Sequence, residues 1–557
     1  MNRFYSIALI SLLGLAGCKT STHQNHGQKT DKTLVDLVVK NALIYTVNHE
    51  MDRASAMVIN EGKIVAVGGT EDILLHYEGA ETLDVQGKPI FPGFVDAHCH
   101  FLGYARTLLN VDLVGTLSKR DVLAKTSSFF GEDYQGWIQG RGWDHTDWEV
   151  KEFPSKEDLD LLFPNNPVAL RRVDGHALWV NSKALDLANI NAETQVAGGD
   201  VMLNKQGEPS GILLDNAADL VLNLIPENIK EQDQEVVQRA QQNCLAVGLT
   251  MMHDAGLPLE DVLFLKEQFA QKKLRFRLYQ MISHDEEAVS YFEENGAIQM
   301  DRFTVKSIKC YMDGALGSRG ALLKENYHDA AQRTGLQLTS DSAMNNLVQR
   351  AIKMGFQVNT HAIGDMAVHK ALNFYGSVLD AKNDQRWRIE HSQVVDPVDL
   401  DLYGEYNIIP SVQPTHCTSD MYWAPDRLGS GRSRTAYAYK DLLKVNGWLC
   451  TGSDFPVEHI NPLYGFYAAV ARMDQKQFPE GGFQTENALT REEALKAMTV
   501  WAARAAFMED DLGSLEVGKK ADFVVLDKDI MQIPIEETYR VKVLRTVING
   551  ETLFVSQ

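Results

Sequence analysis

Residues 89–100, PIFPGFVDAHCH, form an apolar run that stops on two histidines one residue apart. A short apolar run closed by polar residues reads as a strand buried on both faces. Side chains two apart on a strand point the same way, so His98 and His100 face one ion together. Seven more runs of this kind follow: 248–256 (GLTMMHDAG), 274–282 (LRFRLYQMI), 303–314 (FTVKSIKCYMDG), 356–365 (FQVNTHAIGD), 386–395 (RWRIEHSQVV), 407–416 (NIIPSVQPTH) and 447–457 (GWLCTGSDFPV). Longer amphipathic stretches separate them, which predicts parallel strands joined by helices. Eight such runs fit a (β/α)8 barrel of TIM type better than an open sheet. In these barrels the chemistry gathers where strands end.

The predicted strand ends are rich in metal-ligand types. The first carries His98 and His100, the fifth His361, the sixth His391 and the eighth Asp454. Imidazole nitrogen and carboxylate oxygen suit zinc and similar divalent ions. An isolated HxH is a weak signal; four histidines and an aspartate at matching ends of four strands is a strong one. The fourth run carries Lys309, and a lysine inside a barrel needs an explanation because an unpaired buried ammonium is costly. Two accounts stay open: an ion pair with a nearby carboxylate, or carbamylation by CO2, which turns the ammonium into a carboxylate able to bridge two cations.

Outside the barrel pattern, about 140 residues separate the first run from Gly248, far more than a loop and one helix require. An insertion over about 104–245 is expected to fold across the barrel mouth and shape a pocket. It contains Trp143, Asp174 and His176 as pocket-lining candidates, with a structural role open for each. Arg319, just past the fourth run, is a candidate for holding a substrate carboxylate by a bidentate contact, or for a salt bridge within its loop. His253 reads as a hydrogen-bonded core histidine and His369 as a surface residue. Strand-like segments at 36–47, 56–69, 513–530 and 539–555, with turns at Gly62, Gly518 and Asn549-Gly550, suggest a small β-domain assembled from both termini.

The N-terminus differs in kind. Arg3 precedes the apolar run FYSIALISLLGLAG and Cys18, the charge-then-apolar order of a secretory signal too short to span a membrane. Leu15-Ala16-Gly17-Cys18 resembles the lipobox of bacterial lipoproteins, which implies lipidation at Cys18 and a cell-envelope location. Lys19 follows Cys18 where aspartate would favour inner-membrane retention, so an outer-membrane anchor facing the periplasm is expected. Residues 19–34 read as a polar tether. The 557-residue chain is 44% hydrophobic with a net charge of −21, globular in class and unsuited to nucleic acid, whose phosphates need clustered Lys and Arg. The five cysteines other than Cys18 show no CxxC pair and read as buried free thiols.

Taken with GRGWD (140–144), VDGHALWVNS (173–182), DGALGSR (313–319), THAIGD (360–365), RIEHSQ (388–393), GSDFPV (452–457) and GSLEVGKKADFVVLD (513–527), the strand-end ligands resemble the amidohydrolase superfamily, in its amidohydrolase family 3 branch. The resemblance runs from about Asp36 to the C-terminus. It implies a metal-bearing barrel over 93–507 and a β-sandwich domain built from 35–92 and 508–557, behind a signal peptide over 1–18. It further implies metal ligation by His98, His100, Lys309, His361 and His391, with Asp454 as catalytic carboxylate and one or two divalent ions, zinc being the expected one. The implied activity is hydrolysis of carbon–nitrogen bonds other than peptide bonds, in amides, N-substituted formamides or cyclic amides. Such an ion lowers the pKa of bound water from 15.7 to roughly 7, and Asp454 is placed to take the water's proton and pass it to the leaving nitrogen. The alternatives are a deaminase or another hydrolase on the same ligands, and a non-catalytic small-molecule-binding lipoprotein. A small-molecule substrate is the expected partner, with a homo-oligomer left open.

Overall fold

The computed structural model describes residues 32–131, 134–226 and 230–556. The signal segment, Cys18 and most of the tether lie outside the described residues. Among those described, no helix is long and apolar enough to cross a membrane.

Eight strands form a nearly closed parallel barrel of TIM type: Phe94–Cys99, Leu249–Leu257, Arg277–Ser283, Phe303–Tyr311, Gln357–Ala362, Arg388–His391, Ile409–Val412 and Cys450–Thr451. Each pairs in parallel with the next. Their apolar runs are continuous because both faces are covered, by barrel filling inside and by helices outside. Ser340 caps the helix Asp341–Met354 by accepting from the Ala343 N–H, and Gly355 ends it in the left-handed region at φ 65°.

The eighth strand is only two residues long, so side chains help to close the barrel. Asp96, buried in the first strand, accepts from the Ser453 N–H at 3.1 Å and the Ser453 hydroxyl at 2.6 Å. The Asp454 N–H donates to the His98 carbonyl at 2.7 Å. A Cβ at Gly452 would stand 2.4 Å from the His98 nitrogen and 2.6 Å from Asp96 Oδ1. Glycine is therefore the residue that lets the eighth strand end approach the first.

The ends of the described chain build two further sheets. One, of four strands, comes from residues 33–84 alone. The other combines Pro89–Pro92, Leu43–Tyr45 and Arg53–Ala54 with the C-terminal strands Phe523–Leu526, Val543–Ile548 and Glu551–Val555. Ile44, Met57, Ile59, Ile90, Phe523 and Val547 share one apolar cluster drawn from both sheets.

Between the first and second barrel strands lies a six-stranded mixed sheet with a core of its own, including Leu159, Phe163, Trp143 and Trp179. Within it, Ile138–Trp143 runs parallel to Val168–Arg172 with Arg141 opposite Arg171, and the register breaks between Arg141 and Trp143. Gly142 sits at that break with φ 114°. The bulge sends Arg141 and Trp143 to opposite sides of the sheet, although simple alternation would put them together.

Candidate metal centre and substrate cavity

His98, His100, His361, His391 and Asp454 come together at the C-terminal mouth of the barrel. His100 Nε2 lies 3.1 Å and His98 Nε2 3.4 Å from Asp454 Oδ1. The rings of His98 and His391 are 4.9 Å apart and those of His361 and His391 4.5 Å. Lys309 Nζ is 3.3 Å from His98 Nε2 and 4.6 Å from the Tyr311 ring centroid. Only 1% of Lys309 is exposed, and among the described residues no carboxylate pairs with it. The ion-pair account of this lysine therefore lacks its carboxylate.

Two groups offer a cation three donors within 4.8 Å of one another: His98, His100 and Asp454, and His391, His416 and Asp454. They share Asp454, whose Oδ2 is 3.4 Å from His416 Nε2. Among the described residues His391 Nδ1 is buried without a hydrogen-bond partner, and Asp454 Oδ1 faces only the His98 and His100 nitrogens, in no well-aligned hydrogen bond. Unpaired buried acceptors are costly, and a divalent ion between them relieves that cost. Burial holds His361 and His391 well below the ordinary imidazole value and pushes His100 down to about 4. These rings are neutral at physiological pH, the form that ligates metals. Burial alone raises a carboxylate, but the imidazoles of His98, His100 and His416 hold Asp454 well below the usual range. Burial pushes His98 and His416 down, but their carboxylate neighbours outweigh it and raise both, His416 to about 10, so a cation bound there would displace their protons. With that exchange the donor set fits a divalent cation. His391 and Asp454 also sit in the left-handed backbone region, at φ 73° and 60°, strain of a kind that gathers at functional sites.

A supporting set of acidic groups orients these ligands. Glu390, fully buried, places Oε2 2.6 Å from His98 Nδ1 and so turns His98 Nε2 toward Asp454. Asp313, the first residue of DGALGSR, accepts from the Ile363 and Gly364 N–H groups at 3.0 and 2.8 Å and from the Leu322 N–H at 2.8 Å. That ties the loop after the fourth strand to the loop after His361. Burial pushes Asp313 up to about 7. Glu458 lies 3.2 Å from His416 Nδ1. The sequence reading missed His416, Glu390 and Asp313; His416 ends the seventh run, where the strand-end rule would have found it.

A cavity of about 630 Å³ opens onto the centre, a size that suits a small organic substrate. Asp174 and His176 line it from the insertion. The His176 Nδ1 is 2.7 Å from Asp215 Oδ1, and Asp174 joins Asp144 in pairing with Arg172.

Two expectations need correction. Trp143 does not reach the cavity: it is fully buried in the insertion's core, donating from Nε1 to the Leu170 carbonyl at 2.7 Å, because the bulge at Gly142 turns it inward. Arg319 is not among the cavity-lining residues either. It makes a bidentate pair with Asp329 at 3.1 and 2.8 Å, the loop salt bridge that was its alternative. His253 is a buried histidine, 3.0 Å from an Arg388 nitrogen. His369 is partly exposed beside Asp399. The five described cysteines are buried and free.

The barrel and its polar mouth define a class of metal-dependent hydrolases, and comparison with known proteins agrees. Residues 81–554 match the amidohydrolase family, and the chain belongs to it. YtcJ of Bacillus subtilis strain 168, named as an amidohydrolase, is 33% identical over 92% of this chain and 98% of its own length. The N-substituted formamide deformylase of Arthrobacter pascens is 27% identical over 92% of this chain and 97% of its own. Among solved structures, a metal-dependent hydrolase of Pyrococcus horikoshii OT3 superposes with a TM-score of 0.74 at 27% identity, covering 90% of this chain and 99% of that one.

Proposed function

We propose that this amidohydrolase-family protein hydrolyses a carbon–nitrogen bond outside the peptide class, in a small amide, N-substituted formamide or cyclic amide. The observation that carries this reading is the convergence of His98, His100, His391 and His416 on the two oxygens of Asp454. His98, His100, His391 and His416 would hold the cation, with Lys309 and His361 beside them and zinc the metal of choice for such donors. A bound divalent ion supplies Lewis acidity to a carbonyl oxygen and acidifies water. Asp454 is kept ionised by its imidazole neighbours, so it can accept a proton from water and return it to the leaving nitrogen. Lys309, without a carboxylate partner among the described residues, is the residue to carry a CO2-derived carbamate. The name of the Arthrobacter pascens relative supports the bond class.

The test is turnover of a panel of N-acyl, N-formyl and cyclic amide compounds by the purified chain, before and after a chelator and after metal is restored. Turnover that is lost and regained supports the reading; turnover indifferent to chelation refutes it. We place the protein on the bacterial cell envelope through a lipid at Cys18, outside the described residues. A Cys18→Ser chain should move from the detergent phase to the aqueous phase on partition, and one that stays in the detergent phase contradicts the anchor.

A further inference from the structure

The insertion presents two arginines to the cavity. Arg141 and Arg171 stand opposite one another on neighbouring parallel strands, so their side chains leave the sheet on one face about 5 Å apart at the backbone. Both line the cavity that holds His100, His361 and Asp454. Among the described residues no carboxylate lies within ion-pairing distance of either guanidinium. Arg172, one residue on, shows the contrast: it pairs with both Asp144 and Asp174.

Among the described residues the Arg141 side chain makes one hydrogen bond, to the Val173 carbonyl at 2.8 Å, and its Nε is buried without a partner. Two adjacent cations in a partly buried wall repel one another and pay desolvation, with Asp174, Asp219 and Asp454 acting on them only from beyond ion-pairing distance. Burial and then Arg171 oppose the charge on Arg141, outweighing the more distant Asp454 and Asp174. The Tyr311 ring lies over Lys309 and beside His361, and Tyr311 lines the same cavity. Such a pair is complete when an oxyanion lies between the two planar forks.

We propose that Arg141 and Arg171 form a carboxylate subsite, so that the substrate is an amide bearing a free carboxylate beside the carbon–nitrogen bond to be cut. This rests on the hydrolase reading for the bond and adds the charge of the substrate. The carboxylate role that Arg319 cannot fill falls to this pair.

The test is binding of N-acetylphenylalanine and its uncharged C-terminal amide to the metal-loaded full chain by titration calorimetry, with turnover of both followed in parallel. The acid should bind about 10-fold more tightly or better, the scale of a charge-assisted contact. Arg171→Gln and, separately, Arg141→Gln should reduce that preference to within about twofold while metal content and circular dichroism stay as in the parent. Arg171→Gln is the cleaner variant, since among the described residues the Arg171 side chain has no hydrogen bond to lose. Equal binding of acid and amide overturns the subsite. So does a preference that survives both substitutions, which assigns the carboxylate to the metal instead. A preference with the predicted arginine dependence but no turnover of any amide leaves the subsite standing and overturns the hydrolase reading.

Discussion

Replacing Glu390 by glutamine removes one charge and almost no volume, yet it should weaken metal binding at a centre Glu390 does not itself touch. Its carboxylate is 2.6 Å from His98 Nδ1 in a fully buried pair. There it fixes the ring with Nδ1 as donor and Nε2 free for an ion, and it raises the basicity of that nitrogen. A buried charge-assisted hydrogen bond contributes about 1.5–3 kcal/mol. If most of that is felt at His98, metal affinity should fall roughly 10- to 100-fold, the usual cost of losing such a partner. Glu390 Oε1 is also 3.9 Å from an Arg388 nitrogen, so the variant leaves Arg388 buried with weaker compensation and should melt earlier. Competition against a chromophoric chelator, well below the melting transition, separates the affinity change from the stability change. Unchanged affinity in a folded Glu390→Gln chain would refute the orienting role and, with it, His98 Nε2 as a ligand atom.

Asp454→Asn, once loaded with metal, should lose about 10²- to 10⁴-fold in kcat, the range for a positioned acid–base group; full turnover with metal bound would sink the proton-transfer role. Gly142→Ala should destabilise the protein by about 1 kcal/mol or more, because its Cβ would meet Val114 at 2.5 Å and the backbone there has φ 114°; an unchanged Tm argues against the bulge. Arg319→Ala should leave KM within about twofold and act only on stability through Asp329; a large rise in KM would restore its substrate role. On acidification, the metal should be lost before His100 is protonated, through His416, which burial pushes down but Asp454 and Glu458 raise to about 10, and through His98. Burial and Lys309 push that ring down, but Glu390 and Asp454 outweigh them and its pKa is raised, so it takes up a proton while His100, pushed down to about 4, is still neutral. A proton on His98 or His416 excludes the ion, so affinity is full above those raised values and falls as pH drops through them. Affinity that is flat from pH 8 to about 5, below the ordinary imidazole value, contradicts this.

The barrel was legible because parallel strands covered on both faces leave continuous apolar runs, and four of the runs read as closing on histidine or aspartate, residues with ligand chemistry. His98, His100, His391 and Asp454 followed from that rule. His416 obeys the same rule but lacks a spacing partner, so it did not stand out. Glu390 was hidden for another reason: a carboxylate inside a strand looks like a surface residue until its partner, 292 positions away, is seen beside it. Trp143 was open between the pocket and a structural role, and sequence does not show that the bulge at Gly142 turns it into the insertion's core. Arg171 sits in an ordinary-looking Arg-Arg pair, and nothing local says that Arg172 takes the carboxylates while Arg171 takes none. The eighth strand shows a further limit, since two residues of ladder are held in place by Asp96 and Ser453 from opposite ends of the chain's sequence.

The most direct test of the metal-dependent centre is metal content per chain by elemental mass spectrometry, on protein purified without its signal segment from zinc-supplemented medium. The account predicts one or two divalent ions per chain, two if Lys309 carries a carbamate, lost together when His98 and His100 are both replaced by alanine. No divalent metal in the parent chain, or metal retained by that double variant, would contradict it.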